Sequence, residues 1–176
     1  MAAANVPMTA MGTIGAGLNW ANRIIVGTQS YYVPQGVKDN MYWLFVLDLV
    51  KLQPVVNELY PGGSAVPPSL AQYANKPNYL LVLITYDTRM DNVPQGDFYT
   101  LLKNVGSGHE LRRWEQMNTQ MGTGTWGQTS YILAATMDYG DPKGFELFSL
   151  QQAVVMTFQL MPVQVGSQTI YIPIAL

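Results

Sequence analysis

The chain has no cysteine and a single histidine, His109. Those two absences exclude disulfide frameworks, thiolate nucleophiles, zinc ribbons and any site built on several histidines. Charge is scarce as well: 11% of the 176 residues are Asp, Glu, Lys or Arg, against about 25% in an ordinary soluble domain. With nine basic and eleven acidic residues and a net charge of -2, no basic stripe exists to neutralise a row of phosphates, so nucleic-acid binding is not expected. Long apolar runs are also missing. The nearest, Met41 to Val50, contains Asp48 and falls well short of the roughly 18 residues a membrane helix needs. Met1 to Met11 lacks a positive n-region and is interrupted by Pro7, so no cleavable signal is expected there. There is no Asn-x-Ser/Thr sequon.

What is present is a core: 48% of residues are hydrophobic, sufficient for one domain without covalent or metal staples. A surface with so few charges is poorly soluble when left open, and part of it is expected to be covered by other protein subunits. Ten methionines and eleven tyrosines suit such contacts, because Met adapts to irregular surfaces and Tyr is enriched at interfaces.

Residues 1–20 are rich in Ala, Gly, Met and Thr, and no period of 2 or 3.6 marks a buried face. They are expected to form a flexible or partner-bound arm, with residues 21–176 as a single α/β domain. The glycines at 12, 15 and 17 have no strong strand before them and no Lys-Ser/Thr after them, which argues against a phosphate loop. Short strands are predicted at Asn22 to Thr28 and Gln29 to Val33. A strand covered on both faces follows at Met41 to Leu49, then a second strand over Val50 to Leu59. Pro67-Pro68-Ser69 opens a short helix to about Ala74. Tyr79 to Tyr86 (YLLVLITY) reads as a buried strand. Asp91-Asn92 are placed as caps of a helix over Pro94 to Asn104 with Gly106 as its stop, and His109 to Met121 as a second helix or an ordered loop. Ser130 to Met137, Ala153 to Leu160 and Thr169 to Leu176 complete the predicted strands.

Four segments in this order resemble the domain of the interleukin-like inducer of epithelial–mesenchymal transition and the pancreatic-derived factor (ILEI/PANDER-like). Trp43 to Val56 is similar to that family's paired strands, Leu81 to Thr88 (LVLITYDT) to its strand ending in an acid, Leu101 to Ser107 (LLKNVGS) to its helix and Gly-Ser end, and Ser130 to Ala135 (SYILAA) to its S-W-A-L-I-G strand. The resemblance covers about residues 40–145. Gln128 and Thr129 stand where the family has Arg-Asp, and the cysteines of its animal members are absent. The resemblance implies an α+β fold, a mixed β-sheet sandwich flanked by two helices, here with an N-terminal arm and C-terminal β-strands. It also implies a lectin-like capacity.

Acid–base chemistry needs paired carboxylates or a poised histidine in a cleft. Asp87 with Asp91, and Asp141 with Glu146, are read instead as turn and cap residues, and His109 as a solvated histidine without a nucleophile motif beside it. No catalytic residue, metal or cofactor is expected. An aromatic face with a nearby acid and guanidinium can hold a sugar ring, which makes Asp87, Arg89 and Trp126 the candidate glycan-binding residues. The expected function is that of a non-enzymatic structural or assembly protein, a virion component of a bacteriophage carrying a lectin-like domain, located in the virion. A monomeric carbohydrate-binding module, extracellular or cytoplasmic, is the alternative.

Overall fold

The structure, a computed structural model, describes residues 3–13, 22–35, 39–121, 127–141, 143–150 and 152–175. In chain order the strands of the first half are β1 (Val6–Gly12), β2 (Arg23–Val26), β3 (Gln29–Tyr32), β4 (Met41–Asp48), β5 (Gln53–Tyr60), β6 (Tyr79–Tyr86) and β7 (Thr88–Arg89). Those of the second half are β8 (Gln128–Thr136), β9 (Gly144–Ser149), β10 (Val154–Val165) and β11 (Gln168–Ile174). Among the described residues three helices, α1 (Pro68–Ala71), α2 (Gly96–Asn104) and α3 (His109–Met121), lie between β5 and β8 in the chain.

Strand β4 carries apolar side chains on both of its faces, and the architecture follows from that. Tyr42, Leu44 and Val46 point one way and Trp43, Phe45 and Leu47 the other, all fully buried. Strands β6 and β8 repeat the pattern, so the sheet ordered β5-β4-β6-β8, with β9 and β7 also paired to β8, must be covered twice. One face is covered by α2 and α3 through Phe98, Leu101, Leu102, Leu111 and Trp114. The other is covered by a second sheet, ordered β11-β10-β1-β2-β3, through Met8, Ala10, Ile24, Met156, Phe158 and Leu160. The result is three layers: sheet, sheet, helices. Burying a single Leu or Phe at this depth contributes about 1.5–3 kcal/mol, and this doubly covered sheet is the stable centre of the molecule.

The expected two-sheet sandwich is present, with α2 and α3 both on one side of it, but its sheets are not mixed. Every described pairing is antiparallel. The connections dictate this. Asp48 Oδ1 accepts the amides of Val50 and Lys51 at 2.8 and 3.0 Å, closing a tight β4–β5 turn with Leu52 at φ 54°, and Gly166 at φ 61° turns β10 into β11. The helical excursion leaves the sheet after β7 and returns beside it, since Thr88 pairs with Thr129, so β8 re-enters antiparallel to β6.

The arm expected at residues 1–20 is corrected over its described part. Residues Val6–Gly12 form the middle strand of the five-stranded sheet, with Met8 opposite both Phe158 and Val26. Met8 and Ala10 alternate inward with Thr9 and Met11 outward, a period of 2 that small residues obscure in the sequence. The small size is itself required: a Cβ on Gly12 would lie 3.1 Å from both Ile84 Cγ2 and Ser130 Oγ of the facing sheet. Residues 14–20 lie outside the described set.

Two further expectations change. Strand β9 falls where the sequence showed a turn and a gap. Asn92 does not cap α2, whose N-cap position is Gln95; its amide instead donates to the carbonyls of Asn40 and Pro61 at 3.2 and 3.1 Å, ties that a reading of local sequence cannot contain.

Candidate functional site

Asp87 occupies a left-handed backbone position, φ 46°, between β6 and β7. Asn40, at φ 66°, sits beside it: the Asn40 amide donates to the Asp87 carbonyl at 3.0 Å, and Asn40 Oδ1 accepts the Arg89 amide at 2.9 Å. The Asp87 side chain is buried, 4% exposed. It accepts from the Gln128 amide and shares a hydrogen bond with Asp39. Burial raises its pKa above the ordinary 3.8, the hydrogen bond and charge of Asp39 raise it further, and Arg89 works in the opposite direction.

The structure thus brings Asp87 and Arg89 together but engages the Asp87 carboxyl with Gln128 and the exposed Asp39. Trp126, the third residue of the expected glycan site, lies outside the described residues. Asp141 is exposed and faces Lys143 at 3.2 Å, and Asp91 is exposed at the surface.

Glu146 shows the most convergent polar geometry. It projects from β9 toward the helical layer, where it accepts from Tyr131 OH at 2.6 Å, Ser107 Oγ at 2.7 Å and the Gly108 amide at 2.8 Å. The amides of Glu110 and Leu111 complete the set at 3.2 and 3.3 Å. A carboxylate on the first amides of α3 satisfies donors that a helix leaves open and complements the helix dipole. Burial pushes its pKa up, but the hydrogen bonds from Tyr131, Ser107, Gly108 and Glu110 together outweigh that and hold it below the ordinary 4.5. The same contact pushes the buried Tyr131 phenol upward, burial being the larger cause. A carboxylate with its oxygens so occupied acts as a tertiary helix cap. His109, at the start of α3, is 86% exposed and lies 2.8 Å from Glu110.

The third feature is a surface. Of the nine basic and eleven acidic residues, one, Arg23, lies in the five strands of the outer sheet. On the open face, Met11 is flanked by Arg23 and Val155, and Thr9 by Ile25 and Thr157. Val155 is 49% and Tyr32 59% exposed. Taking about 4.8 Å between strands and about 3.3 Å per residue, five strands of about seven residues present roughly 550 Å² of flat area. Sequence reasoning detected the shortage of charge but not its location, because the face is assembled from both ends of the chain. No family model matches the chain, and no curated protein is significantly similar to it.

Proposed function

We propose that this chain is a non-enzymatic structural subunit that associates with other protein subunits, copies of itself first, through the open face of its five-stranded sheet. The observation that carries the reading is the single charged residue in those five strands. An ordinary solvated sheet face carries polar and charged side chains outward; this one carries the single charge of Arg23 and presents Met11, Ile25, Tyr32 and Val155, and exposed apolar surface of this kind marks an interaction site. Its extent is of the order of the ~800 Å² of accessible surface that each partner contributes to a standard interface. A face with one charge near its margin can meet its own copy without opposing like charges at the centre.

The finer reading, a bacteriophage virion component with a lectin-like domain of the ILEI/PANDER-like kind, is supported by the cysteine-free, low-charge composition and by a two-sheet sandwich with helices on one face. The non-enzymatic reading is supported by the engagement of the Glu146 and Asp87 carboxyls in part-buried hydrogen bonds to other side chains. The experiment is the solution mass by light scattering, for the native chain and for Thr157→Arg on the open face. A discrete multiple of 19.5 kDa that the substitution dissociates supports the assembly. A monomer at every concentration refutes it.

A further inference from the structure

A cleft of about 310 Å³ separates the start of α2 from the middle of α3. Its floor is apolar, Val93 and Pro94, both buried, and its walls are polar: Gln95, Tyr99, Glu115, Asn118 and Thr119. Three observations mark it as more than a groove between helices. The Asn118 side-chain oxygen is buried and has no hydrogen-bond partner, a costly state for an acceptor, about 1–3 kcal/mol. Tyr99 OH donates to Glu115 Oε2 at 3.0 Å, and burial followed by Glu115 raises the phenol pKa while Arg112 opposes the rise. Arg112, Glu115 and Asn118 recur every three residues, and so line one face of α3.

The chemistry of this lining selects the ligand. The lining offers an amide, a carboxylate and a phenol, with the Arg112 guanidinium beside the phenol at its margin, so donors and acceptors of both charges lie close together, which neither an anion nor a cation alone would satisfy. A neutral ligand with several hydroxyl groups does, because each hydroxyl both donates and accepts. The apolar floor of Val93 and Pro94 suits the CH face of a six-membered ring, and the volume lies at the small end for ligand sites. We propose that the α2–α3 cleft is a binding site for a neutral saccharide ring, with Glu115 and Asn118 accepting its hydroxyl protons and Tyr99 forming the wall. This deepens the lectin-like part of the reading above, rests on it, and stands whether or not the chain assembles. It moves the saccharide away from Asp87 and Arg89.

The test is titration of the isotope-labelled full chain with methyl glycosides of glucose, galactose, mannose and N-acetylglucosamine, followed by amide NMR shifts. The variants are Glu115→Gln, Asn118→Ala and, as a contrast, Arg89→Ala, each checked for native folding by circular dichroism. The expected result is millimolar binding of at least one glycoside, with shifts at Tyr99, Asn118 and Thr119. It should weaken about tenfold in the two cleft variants and remain unchanged in Arg89→Ala. Binding that is lost in Arg89→Ala and kept in the cleft variants overturns the site while leaving the lectin-like reading in place. Absence of binding to any glycoside overturns both, and leaves the assembly to be decided by solution mass.

Discussion

Replacing Glu146 with alanine is the sharpest perturbation of this fold, because five donors converge on that carboxylate. Two are hydroxyls, of which Tyr131 is fully buried. Three are amides, that of Gly108 just before α3 and those of Glu110 and Leu111 in its first turn. Removing a helix cap costs about 1 kcal/mol, and leaving a buried hydroxyl without its charged acceptor costs about 1–3 kcal/mol. Ser107 Oγ and Tyr131 OH lie 3.2 Å apart and can still bond one another, which holds the sum to about 3 kcal/mol. For a domain of this length that corresponds to a fall in Tm of about 6–12 °C. Chemical denaturation monitored by circular dichroism measures it directly. A loss below about 1 kcal/mol would refute the reasoning, since it would mean that water or a shifted helix replaces the carboxylate at little cost. The pH dependence gives an independent reading. Because the folded pKa of Glu146 is lowered, its stabilisation is fully present above 4.5 and is lost as the pH falls through the folded value. Glu146→Gln should be less stable than the native chain at neutral pH and lose this share of the acid-side decline.

Asp87 behaves with the opposite sign. Its folded pKa is raised, so its contribution is fully present below 3.8 and is lost as the pH rises through the folded value. Asp87→Asn, which tolerates the left-handed backbone, should therefore be at least as stable as the native chain at neutral pH, and a marked destabilisation in urea melts at pH 7 would contradict a carboxyl whose charged form is disfavoured by burial and by Asp39. Gly12→Val should lower stability by about 1–3 kcal/mol through overpacking between the sheets, as read from thermal melts; an unchanged Tm would show that β1 does not approach Ile84. Deleting residues 1–12 should remove the central strand and leave an unfolded chain by circular dichroism, rather than a folded chain that has lost only its contacts. Trp114→Ala should cost about 3–5 kcal/mol, since its ring lies against Tyr42, Tyr131 and Phe148 and its Nε1 donates to the Met90 carbonyl at 2.9 Å.

The sequence by itself determined the doubly covered strands β4 and β6 and the helix α2, while leaving α3 as a helix or an ordered loop. Strands β4 and β6 are apolar at both parities, which only burial on two faces explains, and α2 shows the spacing of Phe98, Leu101 and Leu102 on one helical face. Those signals are local: they rest on period and propensity, and no distant residue is needed to interpret them. The deficit of charge was equally legible, since it is a property of composition. The tertiary structure alone decided where that deficit lies. The open face takes strands from residues 6–32 and 154–174, and β1 entered it only because strands on either side offered hydrogen bonds and because Ala10 and Gly12 leave room for the facing sheet. The roles of Glu146 and Asn92 were decided in the same way. Glu146 is separated by 38 residues from the Gly108 amide it accepts, and a polar residue shows its type in the sequence, but its partners only after the chain has folded.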